Sequence, residues 1–332
     1  MPIRVQRHRY HEEHAVTLTA GFYTAMVLPE IGGNLVSFQD VDRGLSFLRT
    51  PTFEDLDDLR AGSVEYGIPV LFPPNRIEDG RFTVQGRTYD FPVNEEKTHN
   101  HLHGLLTSLP WEVVKAETKH GKAFVELVQT VHEGHSVYRY FPHTFTMVLR
   151  YTLSNGGLQQ DVKVVNHGAN SMPFMLGFHT TLNVPFAKGS KGDDYTMTAA
   201  IGERWEMSER KLPTGQIQVL SVEEERMKTG EGAAPFYTAM DHHYTASPQG
   251  ESNFFTLTDH RLGIRFNYDA GARYKHWMIF NNFGRGGFVC PEPQTCIVNA
   301  PNTSLSSRES GFLLLNPGET WSETSRMWID VL

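Results

Sequence analysis

The run His143-Thr-Phe-Thr-Met-Val-Leu-Arg-Tyr-Thr-Leu153 decides the fold class. Phe145, Met147, Leu149, Tyr151 and Leu153 occupy every second position, and Thr144, Thr146, Arg150 and Thr152 fill most of the other face. Successive side chains of an extended chain point to opposite sides, so this spacing predicts a strand with one buried face. Asn155-Gly156-Gly157 breaks the run, and residues 158–165 resume a strand-like pattern, which predicts a hairpin.

The same signature recurs on both sides. Strands are predicted at 22–28, 34–39, 82–84 with 87–91, 111–117 with 123–130, 254–258 with 262–267, and 320–329. Only 52–60 and 222–228 read as helical. Many short strands separated by glycine-centred turns predict an all-β chain, a large antiparallel sandwich or barrel. No linker, shift of composition or short repeat interrupts it, so a single domain over residues 1–332 is expected.

Bulk properties narrow the function. With 332 residues the chain can bury a large core, and 20 % charged with 11 % aromatic residues is a globular composition. The net charge of −8 argues against nucleic acid, whose phosphates need a basic surface. Met1-Pro-Ile-Arg-Val-Gln-Arg-His8 has no apolar h-region, and no later apolar run is long enough to span a bilayer. Cys290 and Cys296 form neither a CxxC pair nor half of a zinc site. The expectation is a soluble cytoplasmic protein with reduced thiols and no membrane partner, as a monomer or homodimer. No P-loop, Rossmann glycine pattern or G-x-S-x-G elbow is present, which sets aside kinases, dehydrogenases and α/β-hydrolases.

Several residues invite chemistry. In Cys290-Pro-Glu-Pro-Gln-Thr295, prolines on both sides bias Glu292 toward extended backbone and hold its carboxylate in place. The bland reading is a proline-stiffened loop with a solvated acid. Arg76, in Pro73-Pro-Asn-Arg-Ile-Glu-Asp-Gly80, offers a rigid fork of donors to a polyol or carboxylate, or ties a loop to backbone carbonyls. His99-Asn-His101-Leu-His103-Gly104 would put three histidines on one face of a strand, as in a metal-dependent barrel enzyme. Against that, the nearest downstream carboxylate is Glu112, and an alternating strand end with one inward histidine fits equally; no metal and no cofactor is expected. His179, between apolar residues, is either a satisfied core residue or an acid–base group tuned by a hydrophobic cleft. Asp241 sits among histidines in Met240-Asp-His-His-Tyr244, where the bland reading is a solvated turn. Separated His, Arg, Glu and Asp with many aromatics on a β-scaffold suit a carbohydrate ligand.

Taken in order, Leu28-Pro-Glu-Ile-Gly-Gly33, Leu71-Phe-Pro-Pro-Asn-Arg-Ile-Glu-Asp-Gly-Arg-Phe82, Asn100-His-Leu-His-Gly104 with Trp111, Gly177-Phe-His179 with Leu182-Asn183, Leu212-Pro-Thr-Gly215, and Glu292-Pro-Gln-Thr295 with Asn299-Ala-Pro-Asn302 resemble the aldose 1-epimerase (galactose mutarotase) family. The resemblance implies a β-supersandwich with a hexopyranose groove on one sheet. It implies Glu292 as general base, His179 as general acid and His103 as the second histidine of the site. Arg76 and Asp241 would bind hydroxyls, and Trp277, Phe280 or Phe283 would supply an aromatic wall. The substrate would be a free hexose such as galactose or glucose, and ordinary pKa values would leave Glu292 ionised and His179 able to carry a proton at neutral pH. The His103 block lacks a second glycine and the His179 block lacks the Asn-His-Ser-Tyr form of galactose enzymes. Two alternatives therefore stay open: a hexose 6-phosphate, with Arg81 or Arg285 as the extra cation, and a non-catalytic carbohydrate-binding protein.

Overall fold

The 145–165 hairpin is the centre of the molecule's largest antiparallel layer. In the computed structural model, which describes residues 2–332, Phe145–Ser154 pairs along its length with Gly157–Asn166. Phe145, Met147, Leu149, Tyr151 and Leu153 are all fully buried, as the alternation requires. The glycine that the turn needs is Gly157, at φ 106°. A Cβ there would lie 2.2 Å from the carbonyl oxygen of Met327, so the next strand, Thr320–Val331, also demands its absence.

The chain forms an all-β supersandwich of antiparallel sheets with few helices. The hairpin belongs to an eight-stranded sheet that runs from Glu112–Lys119 at one edge to Tyr195–Ala199 at the other. A second eight-stranded sheet carries Pro213–Gln218, Ile201–Met207, Asp241–Ala246, His276–Phe280 and Gly287–Gln294 in that spatial order, then the short pieces Gly177–Phe178 and Val70–Leu71, with Leu182–Val184 also pairing on Gly287–Gln294. A five-stranded meander, Arg4–Tyr10 through Leu45–Ser46, covers the N-terminal end. Aromatic side chains join the layers. Tyr268 meets Trp277 edge-on at 6.0 Å between ring centroids, and Phe266 packs on Phe47 at 5.0 Å. Phe145 packs on Phe72 at 5.3 Å.

One of the two expected helices is shorter than its sequence pattern. The segment predicted at 52–60 is helical only over Leu56–Arg60, because the Asp55 carboxylate accepts from the Thr52 amide (2.8 Å) and the Tyr66 hydroxyl (2.7 Å) and turns the chain before the helix starts. Val222–Thr229 is helical as expected, opened by a capping box between Ser221 and Glu224. Among the described residues no helix is long and apolar enough to cross a membrane.

Truncation of Phe145 to Ala should destabilise the protein by about 3–5 kcal/mol, the cost of emptying a buried aromatic site. A fall in the urea midpoint at unchanged slope measures it; a shift below about 1 kcal/mol would contradict this account of the core.

Candidate active site

The two prolines beside Glu292 sit where the sheet is locally open. On one side, strand Gly287–Gln294 pairs continuously with His276–Phe280, with Glu292 opposite Met278. On the other, pairing runs from Val184–Gly287 to Leu182–Val289, stops, and resumes only at Gly177–Gln294. Proline has no N–H for a ladder and is tolerated at such breaks. Residues 179–181 lie outside the strands there and hydrogen-bond to the neighbouring segment instead, His179 N–H donating to the Pro69 carbonyl (3.1 Å) and Thr181 N–H to the Gly67 carbonyl (2.9 Å).

This break lets the His179 ring meet Glu292. Nε2 lies 3.2 Å from Glu292 Oε1, and both residues are buried. The other ring nitrogen, Nδ1, is 3.4 Å from the Thr181 hydroxyl, which itself donates to the Val64 carbonyl (3.5 Å). These contacts turn Nε2 toward the carboxyl group. Burial drives His179 down to about 4. Burial also pushes Glu292 well above the usual carboxylate range, reinforced by the negative Asp241 and opposed by the Arg76 guanidinium. Burial thus disfavours the charged form of each group, in place of the separate charged states expected from reference values.

The remaining predicted residues divide. Arg76, on Arg76–Glu78, lines the same groove and grips both Glu95 carboxylate oxygens through Nε and Nη2 at 2.8–3.1 Å, leaving Nη1 beside Asn75. His103 is set edge-on to His179 at 5.4 Å between centroids, with Nδ1 unpartnered among the described residues. Burial and the nearby His179 hold its pKa well below the usual value. Its position depends on two successive left-handed residues, His103 (φ 65°) and Gly104 (φ 77°); a Cβ on Gly104 would lie 2.3 Å from the Phe72 backbone. Asp241 is no solvated turn: it opens strand Asp241–Ala246 opposite Phe280 and faces the groove. Phe280 and Phe283 line the groove, 5.0 Å apart.

Trp277 does not. It is fully buried between the sheets and its indole N–H donates to Asn253 Oδ1 (2.8 Å), because alternation along His276–Phe280 sends Trp277 inward and Phe280 outward. The three histidines 99, 101 and 103 also diverge. Only Asn100–Leu102 is strand, and both flanking histidines have positive φ. His99 is exposed against Asp79, while His101 is buried and donates to the Pro92 carbonyl. Among the described residues no group of His, Cys, Asp and Glu is arranged to hold a metal ion. Of the two cations considered for a phosphate, Arg81 pairs with Asp90 and does not line the groove, whereas Arg285 stands 5.8 Å from the Phe283 ring. Sequence reading missed the wall formed by Gly62, Ser63, Val64 and Glu65, the last held by Arg49 at 2.9 Å; no motif marks it. The groove encloses about 380 Å³.

Comparison with known proteins identifies the family. A profile of the family described as aldose 1-epimerase matches residues 14–328. A galactose mutarotase-like protein from Clostridium acetobutylicum superposes with a TM-score of 0.94 at 34 % identity, covering 99 % of both chains. A putative aldose 1-epimerase from Escherichia coli K12 superposes with a TM-score of 0.74 at 19 % identity over 95 % of this chain and 98 % of that one, which shows the shared fold. Galactose mutarotase from Mus musculus is 23 % identical over 290 residues, 82 % of this chain and 81 % of the mouse protein. With its fold and the greater part of its length matched in this way, the chain belongs to the aldose 1-epimerase family.

Proposed function

We propose that this protein is an aldose 1-epimerase that interconverts the α and β anomers of a free hexose such as galactose or glucose. The observation that carries the reading is the 3.2 Å contact between a buried imidazole and a buried carboxyl group on the floor of a polar groove. Arg76, through Nη1, and Asp241 flank it with a donor and an acceptor, the complement that sugar hydroxyls need.

The reaction balances with one shared proton. With the proton on His179, Glu292 accepts the C1 hydroxyl proton while His179 donates to the ring oxygen. The C1–O5 bond breaks and C1=O1 forms. The pair is left as carboxylic acid and neutral imidazole, the state that burial favours. Rotation about C1–C2 turns the aldehyde; the C5 hydroxyl then closes on the opposite face and returns its proton to His179, as Glu292 reprotonates O1. His103 stands beside His179 to hold the ring oxygen, and Arg76 and Asp241 grip hydroxyls remote from C1. No cofactor enters these steps.

Polarimetry on freshly dissolved α-D-galactose and α-D-glucose tests the reading. Glu292→Gln and His179→Asn should each lower kcat/KM by roughly 10²–10⁴-fold, the usual worth of an acid–base group. Absence of acceleration by wild type on either sugar would overturn it.

The pH profile is a second test. Below about 4, where His179 also takes a proton, no base remains, so kcat/KM should be flat through neutral pH and fall only near that value. An acid limb near the ordinary histidine value would mean that the ring is not desolvated as described.

Stability should move oppositely to activity. A carboxyl group whose folded pKa lies above its unfolded value near 4.5 costs nothing below that pH and costs progressively more above it. Glu292→Gln should therefore raise the melting temperature at neutral pH, with the gain vanishing by pH 4. An equal or lower melting temperature at neutral pH would contradict the burial cost assigned to Glu292.

A further inference from the structure

The groove has a second wall, on the side away from Asp241. Across the floor Asp241 pairs with Phe280 and Phe280 with Cys290. The Cys290 thiol lies 3.5 Å from the Thr181 hydroxyl, which in turn reaches the Val64 carbonyl. Glu65 stands next to Val64 on that wall, its side chain 44 % exposed, so the groove has a carboxylate at each end. Resting on the epimerase reading, we propose that Glu65 is a specificity-determining residue for the C6 arm of the hexose. It accepts a hydrogen bond from a 6-hydroxyl and turns away a C6 anion.

Arg49 holds Glu65 in place. Its Nη1 donates to Glu65 Oε2 (2.9 Å) and to the Glu65 carbonyl (3.4 Å), and its Nη2 donates to the Tyr66 hydroxyl (3.3 Å). The guanidinium lies between two rings, 4.3 Å from the centroid of Tyr66 and 4.7 Å from that of Phe288. The Arg49 backbone joins the segment that carries His179: its N–H donates to the Thr181 carbonyl, and its carbonyl accepts from Gly67 N–H, both at 3.0 Å. Gly67 closes the wall at φ 70°, where a Cβ would lie 2.5 Å from the Leu35 carbonyl oxygen. One oxygen of the Glu65 carboxylate is thus fixed. The other, Oε1, accepts no hydrogen bond among the described residues, which leaves it to a donor on the ligand.

The bonding of the sugar decides which of its groups arrives there. C1 has two ring neighbours, O5 and C2. With O1 at Glu292 and O5 at His179, whose far ring nitrogen faces Thr181, C5 and its C6 arm extend toward the Thr181–Val64 side. C2 and C3 then lie toward Asp241. Charge sorts what C6 can carry. Arg49, the cation behind this wall, is paired with Glu65, and Arg76, which lines the groove, is paired with Glu95 at 2.8 Å. A 6-phosphate or a 6-carboxylate therefore meets the Glu65 carboxylate with both of these cations already neutralised, whereas a hydroxyl meets an acceptor.

Exchange NMR on anomerically equilibrated glucose, 6-deoxyglucose and glucose 6-phosphate, with wild type, Glu65→Gln and Glu65→Ala, tests this. Wild type should show kcat/KM about tenfold higher for glucose than for 6-deoxyglucose, the value of one hydrogen bond to a charged acceptor. Both variants should raise KM for glucose by about that factor at unchanged kcat and leave 6-deoxyglucose near its wild-type values, the pattern of lost binding rather than lost chemistry. Glu65→Gln leaves the Arg49 charge without its counter-ion, so kcat/KM for glucose 6-phosphate should rise by about tenfold. A wall that is only structural would instead lower kcat for all three sugars alike, through Val64 and Thr181. That result, equal wild-type turnover of glucose and 6-deoxyglucose, or no gain on glucose 6-phosphate in Glu65→Gln would each overturn the proposal. Titration calorimetry with the same sugars separates it from the reading on which it rests. Affinities in this order without exchange on any sugar would refute the acid–base assignment and leave the role of Glu65 standing; no binding of any of the three would overturn both.

Discussion

A carboxyl group and an imidazole, both withdrawn from water and 3.2 Å apart, are the constraint around which the rest of this molecule is arranged. Neither keeps an independent charge at low cost in such a place. The fold tolerates them because each has a fixed partner on its far side. Thr181 holds His179 Nδ1, and Gln294 donates to Glu292 Oε2 at 3.4 Å. The sheet contributes the opening itself. A continuous ladder between 177–184 and 287–294 would leave no room for the His179 ring, and the two prolines remove the donors that such a ladder would use.

Around this pair, backbone of unusual conformation gathers. Asn75, His103, Asn282 and Phe283 all have positive φ, and all but Asn282 line the groove. Non-glycine residues hold such conformations only where their surroundings compel it, and they concentrate at ligand sites. The compulsion here is polar: the Asn75 carbonyl accepts from His103 N–H at 2.9 Å, and Asn281 Oδ1 accepts from Gly284 N–H at 3.0 Å beneath Phe283. The aromatic core between the sheets supplies the rigid base for these local costs.

The residues that could be read in the chain are those whose role is local. The alternation from Phe145 to Leu153 needs nothing beyond its own period, and burial reproduces it as far as Tyr151, with Thr152 buried as well. Pro-Glu-Pro fixes extended backbone at Glu292 wherever the strand lies. Trp277 shows the opposite case. As a large aromatic near the Glu292 segment it looked like a wall, yet the pleat sends it into the core and gives the groove Phe280. The histidine triplet fails for a related reason. Period-two reasoning assumes a strand that continues, and this one stops after Asn100–Leu102, with left-handed residues on both sides.

The sequence alone determined the all-β class, the hairpin positions and the candidates Glu292, His179 and Arg76, because periodicity, turn chemistry and motif order are written along the chain. Only the tertiary structure decided which face of each strand meets the groove, that Glu292 and His179 meet at 3.2 Å out of water, and that Asp241 faces the groove. Those properties arise from desolvation and from contacts between segments more than a hundred residues apart in the case of Glu292 and His179, and neither burial nor distance is a property of any stretch of sequence read by itself.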